Sequence, residues 1–222
     1  MKLSRSGTKL LWVSLFAAAF ALVESSVVVY LRSLYYPQGF SFPLKVINPH
    51  HFVVELSREA ATIVMLAAVG ILAGSRAWEK FAYFLVAFGV WDIFYYIWLK
   101  VMIDWPASVT DWDILFLIPV PWIGPVIAPV LISLLMIVCG FVIVARLERG
   151  EVFHPGWASW SLSAGGCLVV FYSFMNDTPA TLQGQQPAPY TYSLLVVCLL
   201  LNIISFLLAC GFLPSYRKSQ RV

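Results

Sequence analysis

Six long apolar runs divide the chain, and they restrict its possible folds more than any other feature. A helix rises 1.5 Å per residue, so about 20 apolar residues cross the roughly 30 Å hydrocarbon core of a bilayer. A soluble domain is excluded because 61% of the residues are hydrophobic and 11% are charged, against about 45–50% and 25% in soluble proteins. We therefore predict an all-α membrane protein, a single integral domain over 1–222 with six transmembrane helices in one bundle, at 10–31, 52–74, 81–101, 114–145, 157–175 and 191–213.

The first apolar run also has features of a secretory signal peptide, since basic residues precede Leu10 and small residues lie within the run. Apolar character resumes after Glu24 and continues to Leu31. The resulting length of about 20 residues exceeds the apolar core of a signal peptide and suits a membrane span. We expect an uncleaved first helix, and cleavage would leave the remaining topology unchanged.

Basic residues are distributed unevenly over the connections between the runs, which indicates an orientation in the membrane. If the N-terminus is cytoplasmic, ten of the 14 Lys and Arg residues lie on the cytoplasmic side, as the positive-inside rule expects. We therefore predict an integral protein of a bacterial inner membrane with both termini in the cytoplasm. The ten residues are Lys2, Arg5, Lys9, Arg76, Lys80, Arg146, Arg149, Arg217, Lys218 and Arg221, and the other four are Arg32, Lys45, Arg58 and Lys100.

The fourth run, 114–145, is too long for one straight span and contains several helix-breaking residues. Each proline removes a backbone donor and clashes with the preceding turn of a helix. We expect this segment to be broken or kinked, with the irregular backbone lining a cavity. A plainer alternative is a re-entrant or interfacial start over 114–122, followed by an ordinary span over 123–145. The breaking residues are Pro119, Pro121, Gly124, Pro125 and Pro129.

Charged side chains interrupt the first three runs. A charge at the centre of a membrane helix costs about 2.5–3.5 kcal/mol on insertion scales, so these side chains need partners. Counted at 1.5 Å per residue from the predicted span ends, the acids all lie in the outer half of the bilayer. We expect the charged residues to form one site. They are Glu24, Glu55, Arg58, Glu59 and Asp92.

The polar residues of the second and third predicted helices each lie on one face. They recur every three or four residues, which is the spacing of neighbours on a helix surface. Such a face must contact protein or water, because lipid offers no polar partners. The second helix presents His51, Glu55, Arg58, Glu59 and Thr62, and the third presents Asp92, Tyr95 and Tyr96.

The charges of this predicted site do not balance. Four carboxyl groups face two guanidinium groups, that of Arg58 and that of Arg32 at the outer end of the first helix. A buried surplus of two negative charges is unfavourable, so one or two carboxyls carry a proton or a cation is bound. A structural alternative stays open, in which the arginines pair with two acids and the other carboxyls hydrogen-bond the helices together.

Our leading functional hypothesis is proton- or cation-linked transport of an unknown solute. It rests on the rule that ionisable residues within membrane helices mark ion or proton pathways. The broken fourth segment would be the cavity-lining or moving element. The predicted site residues are Glu24, Glu55, Arg58, Glu59, Asp92, Tyr95, Tyr96 and Arg32.

Two alternatives remain from the sequence. One is a membrane-embedded enzyme that uses a divalent metal, because carboxylate and histidine ligands bind metals between helices of a bundle. The spacing of the candidate ligands is not specific for a metal, since the Glu-x-x-His motif that bundle di-metal sites use twice does not occur twice here. The other is a non-catalytic subunit or assembly factor of a membrane complex. The metal ligands would be His51, Glu55, Glu59, Glu24 and Asp92.

The lipid bilayer is the partner that this composition requires, and a proton or cation is the partner that the acids favour. A net charge of +3 without a long basic run makes nucleic acid an unexpected partner. A homo-oligomer or a larger membrane complex is compatible with the sequence. No cofactor is required by any motif, and the divalent metal of the enzyme hypothesis is the one candidate.

Overall fold

The computed structural model describes residues 4–45 and 48–213. In this part of the chain it has seven helices, of which α6 is five residues long, and two short strands. Their bounds are α1 (Arg5–Tyr35), α2 (Pro49–Ala73), α3 (Ala77–Ile103), β1 (Trp112–Phe116), β2 (Trp122–Pro125), α4 (Ile127–Glu148), α5 (Trp157–Met175), α6 (Thr178–Leu182) and α7 (Tyr192–Ala209).

Six helical segments are long and apolar enough to cross a membrane, with α5 and α6 counted as one segment from Trp157 to Leu182. The prediction of a helical membrane protein with six spanning helices is therefore confirmed at this level. Several helices extend beyond the apolar runs, and α1 is one continuous helix of 31 residues. Caps explain two of the starts: Ser4 accepts a hydrogen bond from the N–H of Gly7, and Asn48 accepts one from the N–H of His50.

The structure moves the start of the fourth helix from 114 to Ile127, because the proline-rich part of that run is a β-hairpin. Pro119 and Pro121 lie in the connection between the strands, where no ladder donor is needed. Pro129 lies in the first turn of α4, where a missing N–H leaves no intrahelical bond unmade. The two-stranded sheet is the one exception to an otherwise helical fold in the described residues.

The hairpin is antiparallel and irregular. Trp112 pairs with Pro125 and Phe116 with Trp122, and the register shifts between Ile114 and Phe116. The Thr178 hydroxyl of α6 donates a hydrogen bond to the carbonyl of Pro121 at 2.5 Å. We call the end of the fold that holds this hairpin, the end of α1 and the start of α2 the hairpin end.

Helix α3 lies at the centre of one group of helices and contacts α1, α2 and α4. Small residues allow α3 and α4 to approach closely, as is usual between membrane helices. A Cβ atom added at Gly89 would lie 2.6 Å from the carbonyl oxygen of Ser133, and one added at Gly140 would lie 2.7 Å from that of Ala82. The backbones of α3 and α4 are therefore in direct contact.

Helices α5 and α7 form a second group and pack mainly on each other. The Ser163 hydroxyl donates to the Asn202 side chain at 3.0 Å, and the Ser205 hydroxyl donates to the Ser159 carbonyl at 2.7 Å. This pair meets the first group through α4 and β2. The fold thus contains a tightly packed group, α1 to α4, and a helix pair, α5 and α7, beside it.

Candidate functional site

A cavity of about 110 Å³ lies between α1, α2, α3 and β1 at the hairpin end. We call it the carboxylate cavity, because five acidic side chains line it: Glu24, Glu55, Glu59, Asp92 and Asp113. It has room for several water molecules or a small solute. Two arginines, Arg32 and Arg58, complete its charged lining.

Arg58 joins two of the acids. Its guanidinium forms an ion pair with Glu24 of α1 and another with Glu55 at 2.8 Å, one turn away on α2. Thr62 donates a hydrogen bond to the second oxygen of Glu24 at 3.1 Å. Both carboxyls are buried, so this cluster connects α1 and α2 by charge-assisted hydrogen bonds.

Glu59 and Asp92 accept hydrogen bonds from neutral donors instead. The backbone N–H of Leu117, the residue after β1, donates to Glu59 at 2.8 Å. The Ser133 hydroxyl of α4 donates to Asp92 at 2.8 Å. Within the described part of the chain neither carboxyl forms an ion pair. Each therefore brings a negative charge, or a proton, that no direct ion pair neutralises.

Arg32 pairs with Asp113, and not with the acids of the helices. The guanidinium nitrogen and the carboxyl oxygen are 2.8 Å apart, and Asp113 is 2% exposed. The guanidinium carbon lies 3.7 Å from the ring centroid of Trp105 and 4.4 Å from that of Phe40. Stacking on two rings and a buried partner hold Arg32 in one geometry.

Burial raises the pKa of the Asp113 carboxyl, because desolvation disfavours its charged form. The charge of Arg32 and the N–H of Ile114, which donates at 2.9 Å, act in the opposite direction. One oxygen of Asp113 and one terminal nitrogen of Arg32 have no hydrogen-bond partner among the described residues. The Arg32–Asp113 pair is thus buried with part of its hydrogen-bonding capacity unused.

Aromatic side chains of α3 form the remaining wall. Trp91, Tyr95 and Tyr96 line the carboxylate cavity, and the rings of Tyr95 and Tyr96 meet edge to face with centroids 5.0 Å apart. The Ser25 hydroxyl donates to the carbonyl of Tyr95 at 3.1 Å, which fixes this part of α3 against α1. Rings beside carboxylates offer both a surface and hydroxyl groups to a cationic ligand.

The cavity does not continue towards the opposite end of the helices. An apolar layer of α1, α2 and α3 lies between the cavity and the opposite ends of these helices. Its residues Ala17, Ala21, Leu66, Val86 and Ala87 are 0% exposed. These residues belong to one hydrophobic cluster. The structure therefore has a polar chamber at the hairpin end with a dry core behind it.

The structure brings together all eight residues that the sequence proposed for an ion, proton or substrate site. Each lines the carboxylate cavity: Glu24, Arg32, Glu55, Arg58, Glu59, Asp92, Tyr95 and Tyr96. Their function stays a prediction. The expected charge surplus of two becomes three, because the structure adds Asp113 to the four acids and the arginines remain two.

The metal-ligand set of the enzyme hypothesis is not assembled. His51 lies apart from the acids, and its Nδ1 is 2.6 Å from the hydroxyl of Tyr35. Over residues 4–45 and 48–213 no three His, Cys, Asp or Glu side chains come together as ligands for one ion. The acids instead line the walls of the chamber, separated by Arg58 and by backbone.

Sequence reasoning missed Asp113, the Leu117 amide and Ser133. Asp113 lay just outside a run interpreted as helical, although Arg32 lacked an assigned acid and Asp113 was one of three acids in the neighbouring connection 102–113. That unpaired arginine was a usable signal. The roles of Leu117 and Ser133 depend on the hairpin and on the α3–α4 contact, which no local pattern reveals.

No protein-family model matches the chain, and neither a curated protein nor a solved structure shows significant similarity to it. The chemistry of the cavity is therefore the evidence that bears on function.

Proposed function

We propose that the carboxylate cavity binds protons or a small cation and couples their movement to the transport of a solute across the membrane. One observation carries this proposal: five carboxyl groups and two guanidinium groups line one cavity. Full ionisation would leave three negative charges in a region of low dielectric, which is strongly unfavourable. Bound protons or a bound cation neutralise that surplus.

The positions of Glu59 and Asp92 support the proposal. Both acids are held in place by neutral donors, the Leu117 amide and the Ser133 hydroxyl, so their charge is left for a ligand. They come from α2 and α3 and are held by the connection between the strands and by α4. A proton or cation taken up at either acid would therefore act on the contact of α2 with the hairpin or of α3 with α4, as expected of a site whose occupancy changes conformation.

In the orientation we propose, both termini are cytoplasmic and the hairpin end faces the outside of a bacterial inner membrane. The carboxylate cavity is then accessible from outside, and the apolar layer of Ala17, Ala21, Leu66, Val86 and Ala87 closes the cytoplasmic side. Transport requires a second state in which this layer opens. Membrane transporters use such alternating access around a site built partly from irregular backbone.

The test begins with cation binding. Purified protein is heated in Na⁺, Li⁺, K⁺ or choline chloride at constant ionic strength and at several pH values. A bound cation stabilises the folded state by RT ln(1 + [L]/Kd), about 2.7 kcal/mol at 100 times Kd. We expect one cation, or protons, to raise Tm in the wild type.

Matched variants locate the effect. Glu59→Gln and Asp92→Asn keep an oxygen that accepts from Leu117 or Ser133 while removing the charge, so they should fold and lose the cation or pH response. Glu148→Gln changes an exposed acid outside the cavity and should keep the response.

Transport is then measured in proteoliposomes with a gradient of the effective ion and a mixture of small solutes identified by mass spectrometry. Gradient-dependent uptake that the cavity variants lack supports the proposal. A wild type that responds to no cation and to no pH change, and takes up nothing, contradicts it.

A further inference from the structure

A second cavity, of about 300 Å³, separates α3 and α4 from α5 and α7. We call it the apolar cavity. It is lined mostly by the side chains of Phe, Trp, Leu, Ile, Val, Met and Cys residues, and its lining includes no Asp, Glu, Lys, Arg or His. A cavity of this kind stays free of water and accepts apolar ligands.

Three of the polar side chains in its wall, those of Ser163, Asn202 and Ser205, are already hydrogen-bonded within the protein. Ser163 donates to Asn202, Asn202 donates to the carbonyl of Cys198 at 2.9 Å, and Ser205 donates to the carbonyl of Ser159. An occupant therefore has no need to offer hydrogen bonds to these groups. The chemistry of the lining selects hydrocarbon and disfavours a polar or charged solute.

The apolar cavity is elongated along the helices. Its lining residues on α4 extend from Ile132 to Ile143, and those on α7 extend from Cys198 to Ala209. Eleven residues at 1.5 Å each correspond to about 16 Å in both cases. A slot of this length parallel to membrane helices has the shape of an extended chain and not of a compact solute.

We propose that the apolar cavity holds an acyl chain of a membrane phospholipid. Left empty, the slot would forfeit the close packing that stabilises protein interiors. Acyl chains lie beside every spanning helix, they match the hydrocarbon lining, and they run parallel to the slot. The charge-free lining also means that the phosphate headgroup stays outside at the membrane interface. This inference does not depend on the transport proposal.

Native mass spectrometry of the full chain, extracted from host membranes in a mild detergent, tests the occupant. Leu135 lines the slot, whereas its neighbour Leu134 is 46% exposed on the outer face of α4. We expect wild type and Leu134→Trp to retain one phospholipid, and Leu135→Trp to retain it about tenfold less because the indole fills the slot. Equal retention in the two tryptophan variants, a wild type without lipid, or a bound molecule that is not a phospholipid would overturn the proposal.

Thiol labelling keeps the proposal testable if Leu135→Trp fails to fold. Cys198 lines the slot and Cys210 does not, although both are buried. In delipidated wild type, added phosphatidylethanolamine vesicles should slow maleimide labelling of Cys198 about tenfold and leave Cys210 unchanged. Equal effects at both cysteines, or no effect at Cys198, would contradict occupation of the slot by a phospholipid.

Discussion

The two cavities of this protein lie on opposite sides of the α3–α4 pair and differ in almost every property. The carboxylate cavity is small, and its acids and arginines come from four elements that hydrogen bonds and ion pairs connect. The apolar cavity is nearly three times larger and has no charged lining residue. Buried charge in a membrane protein needs partners, whereas an apolar gap can be filled by lipid. We therefore expect the carboxylate cavity to bind protons or a cation and the apolar cavity to bind a lipid chain.

The largest effect is expected from Arg58→Ala, which tests whether charge pairing holds the first cavity together. Without this guanidinium, Glu24 and Glu55 become unpaired buried acids, and breaking such a pair costs about 3–5 kcal/mol. Removing one acid relieves repulsion, so Glu55→Gln should cost less. Differential scanning fluorimetry in detergent measures the order of Tm values. Arg149→Ala, an exposed control, should change little, and a loss in Arg58→Ala no larger than in this control would contradict the account.

A second comparison concerns a glycine within a helix contact and a glycine on an open helix face. An alanine at Gly89 would press its Cβ atom against the backbone of Ser133, where an added Cβ atom has no room. We expect Gly89→Ala to lose about 1–3 kcal/mol of stability. Gly165 on α5 has nothing within 4 Å of an added Cβ, so Gly165→Ala should be neutral or stabilising by up to about 1 kcal/mol. Thermal or urea unfolding of both variants checks this, and similar losses would mean that the backbones of α3 and α4 are not in direct contact at Gly89.

Arg32→Lys separates charge from shape at the hairpin end. Lysine keeps the positive charge near Asp113 but cannot stack as a planar group on Trp105 and Phe40. We expect a loss of about 1–2 kcal/mol, measured as a lower Tm. The exposed Arg149 offers the control, since Arg149→Lys should leave Tm unchanged. An unchanged Tm in Arg32→Lys would show that the charge alone is sufficient.

The smallest effect is expected at Asp104, an exposed residue after α3 whose carboxylate lies 2.7 Å from Lys100. Lys100 lowers the pKa of the Asp104 carboxyl by a hydrogen bond and by its charge. A lowered folded-state pKa gives a stabilisation that is present above the unfolded-state pKa and is lost as the pH falls through the folded-state value. Asp104→Asn should therefore lower Tm slightly at neutral pH and not in acid. A Tm difference that grows in acid would reverse the sign and contradict this assignment.

Sequence patterns indicated much of this arrangement, for identifiable reasons. Apolar length revealed the six spanning helices, and the three- and four-residue spacing placed Glu55, Arg58 and Glu59 on one face of α2. The hairpin could not be predicted, because an apolar run with prolines suits a broken helix as well as two short strands. The partner of Arg32 was missed for the same reason: Asp113 approaches it only when β1 folds back over α1 and α2. The apolar cavity depends on a gap between helices, which no single segment encodes.

Infrared difference spectroscopy tests the central claim, that the surplus of acids around the carboxylate cavity is neutralised by protons or a bound cation. Wild-type protein near neutral pH should show a protonated-carboxyl band that decreases when the effective cation is added or the pH is raised. The band change should be reduced in Glu59→Gln and Asp92→Asn and retained in Glu148→Gln. A wild type without a protonated-carboxyl band and without any cation response would contradict the account.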